Sequence, residues 1–419
     1  MAELRYWVWL ATRRGLGART AFELLNHFGS PEEIFFADKP KLSAVLPVNS
    51  PLLSDSSPLF DHDLDEARAI VRYCTEKRIT ILTYPDGAYP ARLKNIYDPP
   101  LVLYVYGRLP ELDDEAVVAV VGTRECSATG LTNAERISYE IAKMGGIIVS
   151  GLARGIDSAA ARGAIRAGGK VIGVLGSGVD VVYPQSNRAL FGDIYRTGAL
   201  ISEYPPQTKP EKSHFPARNR IMSGISMGVL VVEAPEKSGA LITAARALEQ
   251  GRDVFAVPGS LDNRLAAGSN ALLKEGAQVV TCGRDIMELY EAYYPEKVRM
   301  APRLTELDER GKRMMVEREL AAVQQQEKAA PVSREPAKNT VDKEKPEDYI
   351  EISQAPEDLS PEELQVLKSI DKRSMHVDDI IARSGMEPAL VLSCLTMLEI
   401  SGAVTQEAGK RFTARIIIK

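Results

Sequence analysis

Cysteine and histidine are scarce in this chain: 419 residues hold four of each. Cys74, Cys126, Cys282 and Cys394 lie far apart, with no CxxC pair to suggest a zinc ribbon, a redox motif or a disulfide framework. They are expected to be reduced structural thiols. His27, His62, His214 and His376 are equally scattered, without the i,i+4 spacing or a partnering cysteine that a metal site needs, so no metal is expected. Apolar runs of the length of a membrane span are missing too. The start, "MAELRYWVWLATRRGLG", carries Glu3 and Arg5 and has no small-residue cleavage site. A cytoplasmic protein is the expectation.

Catalytic signatures are also missing. There is no GxxxxGK[ST] loop, which disfavours P-loop ATP hydrolysis. There is no GxGxxG either, since "GSGVDV" places Val181 where the third glycine belongs. No serine–histidine–aspartate order, glycosidase-like carboxylate pair or activated cysteine emerges, and no cofactor is expected. The formal net charge of -5 argues against indiscriminate polyanion binding. It says little about local patches, because clustered cations act over a Debye length of about 10 Å.

The chain itself has the make-up of a soluble globular protein, 45% hydrophobic and 26% charged, and is long enough for two or three domains. Residues 1–75 read as short helices. "GLGARTAFELLNHFGSPEEIF" holds a Gly-Leu-Gly turn, an apolar helix and a second start signal at Ser30-Pro31. That pattern fits a helix-hairpin-helix pointing N–H groups at a DNA phosphate, and equally an ordinary αα-hairpin.

Over residues 80–290, apolar, β-branched runs alternate with helix-length segments: "AVVAVVG", "GIIVSG", "VIGVLG", "ALISE", "GVLVVEA", "DVFAVPG" and "AQVVT". Such runs predict a parallel sheet covered on both faces, a doubly wound Rossmann-like α/β domain. Residues 81–107 read as a lead-in strand and turn attached to it. Residues 300–355 are dense in Glu, Lys, Arg and Gln and predict a charged flexible linker, with a transient helix near 304–328. Residues 358–419 predict three helices and a hairpin, a winged helix. Its third helix, within "EPALVLSCLTMLEISG", has Glu387 and Glu399 but no Lys or Arg, so protein docking competes with DNA reading there.

In an open parallel sheet, ligands bind beyond the carboxyl ends of the strands, so the residues after each run should share one edge. Those residues are Gly122 and Arg124; Gly151, Arg154, Gly155 and Asp157; Gly176, Ser177 and Gly178; Lys212, His214, Phe215, Arg218, Asn219 and Arg220; and Lys237, Ser238, Gly239 and Thr243. Glycines ahead of helices let N–H groups approach an anion, and Arg124, Arg154, Lys212 and Arg220 can add charge-assisted bonds. A single such loop is commonly only a tight βα turn. Five on one edge point to an anion site. A lone Phe215 would belong in a core. Bracketed by His214, Pro216 and cations, it is harder to bury without stranding charge, which favours an exposed platform on which bases stack while the backbone follows the cations.

The ordered segments "VAVVGTRECSATG", "VSGLARGIDSAAARGAI", "GSGVDVVYPQSN", "ISEYPP", "HFPARNRIMSGIS", "VVEAPEKSGALITAARALEQGRDVFAVPG" and "GSNALLKEGA" together resemble the DNA processing protein A (DprA/Smf) family. The match is densest from about 81 to 281. The resemblance implies a non-enzymatic, dimeric protein that binds single-stranded DNA, loads the RecA recombinase onto it and protects incoming DNA during natural transformation. Single-strand-binding protein and competence proteins are further partners it suggests. By motif, Arg124, Lys212, Phe215 and the neighbourhood of Asn219 match the family's DNA pocket. Lys212 and Arg124 would contact phosphates, and Phe215 would stack. Two readings compete: a phosphoribohydrolase-type enzyme, whose PGGxGT loop with a following catalytic Glu is replaced here by "PEKSGALITAA", and a pure scaffold.

Overall fold

The computed structural model describes residues 3–300, 350–352, 360–370, 374–400, 403–407, 411–414 and 416–418. The linker expected at 300–355, with its helix near 304–328, lies almost wholly outside the described residues. The chain divides into two compact units, Met1–Val316 and Glu317–Lys419. Each is described by itself.

The first unit opens with five helices: α1 (Leu4–Ala11), α2 (Ala18–Phe28), α3 (Pro31–Phe35), α4 (Lys39–Ser43) and α5 (Asp65–Lys77). Gly29, at φ 82°, closes α2 in the left-handed conformation a C-terminal glycine takes without strain. Ser30 then caps α3 by accepting from the Glu33 N–H, with Pro31 in the first turn. In α1, Tyr6 through Leu10 are all buried, and Trp9 meets the edge of Phe35 at 5.0 Å.

After α5 the chain builds a nine-stranded sheet. Its strands are β1 (Ile79–Thr83), β2 (Val102–Gly107), β3 (Val117–Val121), β4 (Ile147–Ser150), β5 (Val171–Val174), β6 (Ala199–Ser202), β7 (Gly228–Val231), β8 (Asp253–Ala256) and β9 (Gln278–Val279). Between them lie α6 (Ala91–Lys94), α7 (Ala128–Lys143), α8 (Ile156–Arg166), α9 (Arg188–Thr197), α10 (His214–Ile225), α11 (Gly239–Glu249) and α12 (Ala267–Lys274); α13 (Arg284–Glu291) follows β9. The order is β1-β2-β6-β5-β4-β3-β7-β8-β9. β3 to β9 are mutually parallel, while β1 and β2 form an antiparallel edge on β6. All seven apolar runs are strands, and the lead-in segment supplies the antiparallel edge.

Side chains alternate across the sheet, as strand geometry requires. Val118 and Val120 of β3 enter a core shared with α7, α8, α9, α13 and the N-terminal helices, whereas Val117, Ala119 and Val121 enter a second core under α6, α10 and α11. Both faces are thus covered, which is why the strands read as unbroken apolar runs. From β3 the strand order runs one way to β4, β5 and β6 and the other way to β7, β8 and β9, so the carboxyl ends of β3 and β7 flank the switch point where a crevice opens.

The second unit holds helices Pro361–Lys368, Val377–Ser384 and Pro388–Ile400, with a small sheet of Met375–His376, Arg411–Ala414 and Val404–Glu407. Ser360 and Glu363 form a reciprocal capping box at the first helix. This is the winged helix expected, although residues 408–410, between the last two of these strands in the chain, lie outside the described residues. No helix among the described residues is long and apolar enough to cross a membrane.

Candidate nucleic-acid interface

A cleft of about 580 Å³ occupies the switch point. The loop after β3 brings Gly122, Thr123 and Arg124. The start of α10 brings Phe215, Arg218 and Asn219, and the turn into α11 brings Lys237, Ser238, Gly239 and Thr243. Lys212 and Tyr183 complete its rim. Arg124, Lys212, Arg218 and Lys237 face only two acidic lining residues, Glu125 and Asp157, so the cleft is locally cationic in a chain of net charge -5.

Helix periodicity explains which residues of "HFPARNR" enter. Phe215, Arg218, Asn219 and Met222 are spaced i, i+3, i+4, i+7 and share one face of α10, which lines the cleft. Pro216 lies between faces, and Ala217 and Arg220 turn toward a neighbouring groove. Arg220 is fully engaged there: its Nη2 donates to Glu203 Oε2 at 2.7 Å and its Nε to Asp98 Oδ2 at 3.0 Å. His214 is also diverted. Its ring stacks on Tyr204 at 3.9 Å between centroids, with Nδ1 3.1 Å from the Gly176 carbonyl oxygen.

Phe215 is half-buried, and the exposed Arg124 guanidinium lies over its ring, 5.6 Å from the centroid. Tyr183 stands beside it, centroids 5.6 Å apart and planes at 39°. Met222 follows from the i+7 step of that same face, whereas Tyr183 carries no spacing signal. For Tyr183 the one available clue was its place in the loop after β5.

Beneath this surface, Arg218 is buried, 5% exposed. It donates from Nη1 to the Val174 carbonyl oxygen, while its Nε has no hydrogen-bond partner among the described residues. Burial depresses its pKa to about 10, despite the opposing pull of Asp157. Burial likewise pushes the Asp157 carboxyl up, against the neighbouring Arg218 charge. Gly151 makes room for this guanidinium: a Cβ there would lie 2.7 Å from Arg218 Cζ. Gly155, at φ 78°, lets the α8 entry pass under the β3 loop, where a Cβ would come within 2.7 Å of the Arg124 carbonyl oxygen. Both glycines support the floor and do not line the cleft. Arg154 is exposed and is not part of the lining.

At the α11 entry, Ser238 caps the helix by accepting from the Ala240 N–H at 3.3 Å. A Cβ on Gly239 would meet nothing within 4 Å, so this helix N-terminus faces open space. Thr243 is buried one turn on, and Asn219 Nδ2 donates to the Gly239 carbonyl oxygen at 3.4 Å. Anions are favoured at such an N-terminus by the N–H groups and the helix dipole together.

The family model of DNA recombination-mediator protein A matches residues 80–291, half of the chain, and that of the DprA winged helix domain matches residues 351–410. The chain belongs to the DprA/Smf family. Protein Smf of Synechocystis sp. is 37% identical over 343 residues, covering 81% of each chain. DNA processing protein DprA of Bacillus subtilis is 46% identical over 213 residues, 51% of this chain and 72% of its own. Among solved structures, DprA of Streptococcus pneumoniae superposes with a TM-score of 0.58 and 35% identity over 69% of this chain and 98% of its own. The DprA/Smf match spans every strand lining the switch point.

Proposed function

We propose that this protein is a recombination mediator that holds single-stranded DNA in the switch-point cleft and has no catalytic step of its own. One observation carries the reading: a half-buried phenylalanine under an exposed arginine, inside a locally cationic cleft. Every base has a π-face, so a ring of this kind takes single strands of any sequence, while a paired base inside a duplex cannot reach it. Arg124, Lys212 and Lys237 supply phosphate contacts at the rim, and the open α11 N-terminus supplies another. Arg218, Gly151 and Gly155 hold the floor in shape. Arg220, Arg154 and His214 carry less weight as contacts, because two are engaged elsewhere and the third stands outside the lining.

Family membership supports extending the reading to a dimer that delivers its strand to the RecA recombinase and shields DNA during natural transformation, in the cytoplasm. The phosphoribohydrolase alternative needs a catalytic Glu following the α11 loop, which "PEKSGALITAA" does not supply. Glu233, after β7, is buried and accepts from Ser127 N, Ser127 Oγ and Asn263 Nδ2 at 2.7–2.8 Å, which makes it a structural clasp.

Fluorescence anisotropy with labelled oligo-dT and a matched duplex, across a salt series, tests the proposal. Wild type should prefer the single strand. Phe215→Ala should lose about 1–3 kcal/mol, and Arg124→Ala should flatten the salt slope by about 0.7. If both variants bind like wild type, the cleft is not the DNA site.

A further inference from the structure

A second arginine–aromatic pair stands elsewhere in the same unit. Tyr97, in the loop between α6 and β2, is 75% exposed. Arg19, in the first turn of α2, holds its hydroxyl end: Nη1 donates to the Tyr97 hydroxyl at 2.5 Å, with Cζ 5.7 Å from the ring centroid. Arg19 also meets Glu23 at 3.2 Å.

This pair adjoins a groove of about 450 Å³. Ala18 and Asp98, next in the chain to Arg19 and Tyr97, both line it. So do Pro216 and Ile242, which also line the Phe215 cleft, so the two depressions share a common wall. The charged residues lining the groove are Asp98, Glu203, Arg220 and Arg246, two of each sign, and its apolar lining includes Leu16 and Leu101. A formally neutral, partly apolar groove suits bases better than phosphates. Tyr97 itself stands just outside the lining, and its ring, held at the hydroxyl by Arg19, is open to solvent over most of its surface.

We propose that Tyr97, oriented by Arg19, is a second stacking station, and that a single strand leaving Phe215 crosses the Pro216–Ile242 ridge and continues through this groove. The inference rests on the reading of the first cleft as the single-strand site. It gives the N-terminal helices and the lead-in loop a direct role in the length of the footprint. The shared wall makes the path continuous, and the neutral groove makes the second contact one of stacking.

The test is anisotropy on the full chain with oligo-dT of about 6 and about 20 nucleotides, one near the lower end of the roughly 4–16 nucleotides of typical single-strand sites and one beyond their upper end. Wild type, Tyr97→Ala, Tyr97→Phe and Phe215→Ala are compared, each with its melting temperature. Tyr97→Ala should bind the short oligomer like wild type and the long one ~5- to 100-fold more weakly, with the salt slope unchanged. Tyr97→Phe keeps the ring but loses the hydroxyl that Arg19 holds, so it should bind the short oligomer as wild type does and fall between wild type and Tyr97→Ala on the long one. The extension is overturned if Tyr97→Ala binds both lengths normally. It is also overturned if both weaken equally alongside a fallen melting temperature, the signature of a strut between helices and sheet. A loss for Phe215→Ala on the short oligomer with none for Tyr97→Ala on the long one keeps the first cleft and removes the second. Unchanged short-oligomer binding by Phe215→Ala instead removes the first reading.

Discussion

Gly155 shows how a single residue sets the site's geometry. Its backbone, at φ 78° and ψ -130°, lies in a region that side chains with a Cβ rarely adopt, and an added Cβ would press on the carbonyl oxygen of Arg124. Gly155→Ala should therefore destabilise the protein by about 2–3 kcal/mol, read as a shift of the urea midpoint, and should weaken DNA binding by displacing the loop that carries Arg124. In the sequence, Gly155 was visible only as a glycine at a strand end, fit to approach a phosphate. The structure uses it, like Gly151, to let protein segments approach one another. Phe215 stands out in the sequence because an aromatic hemmed in by cations is hard to bury; the structure leaves its ring half-buried where an exposed platform was expected. Tyr183 does not stand out, since a lone tyrosine before a proline has no pattern to betray it.

Among the elements, α10 is the one whose rotation assigns roles. Its cations looked alike in the sequence, yet a 3.6-residue period sends Arg218 into the floor of one cleft and Arg220 into an ion-pair network bordering another. A second element-scale device is the Glu233 clasp, which ties the end of β7 to the α7 N-terminus and to Asn263. Replacing it by alanine strands three donors in a buried place. Glu233→Ala should cost about 2–3 kcal/mol, measured by thermal unfolding, while Glu125→Ala, at an exposed rim position, should stay within about 0.5 kcal/mol of wild type. The element types themselves were readable. Continuous β-branched runs mark parallel strands, and Ser30-Pro31 and Ser360-Pro361 mark helix starts, because both signals are local.

At the scale of the whole molecule, burial holds several acids neutral. The Cys74 thiol is pushed up to about 12, first by burial and then by Asp180. Burial also raises the phenols of Tyr89, Tyr104 and Tyr290. In the unfolded chain these groups lose their protons from about pH 8.5 for the thiol and about pH 10 for the phenols. The unfolded state then holds fewer protons than the folded one, so stability falls as pH rises. Arg218, depressed to about 10, and Arg252, also lowered by burial, work in the opposite sense, Arg218 only above about 10. Urea denaturation at pH ~8, ~10 and ~11 should show stability declining from about pH 9 and more steeply above about 10, with phenol ionisation delayed in the folded protein. A flat profile would mean these side chains are wetter than their burial implies. The sequence by itself determined the doubly wound sheet, the winged helix and the common edge on which the strand-end loops gather, because hydrophobic periodicity and chain connectivity are properties of neighbouring residues. Only the tertiary structure decided which cation lies over Phe215, which is consumed in an ion pair, and that Tyr97 and Arg19, 78 positions apart, meet beside a second groove. Those neighbourhoods depend on how distant segments pack against one another, and no local pattern encodes that.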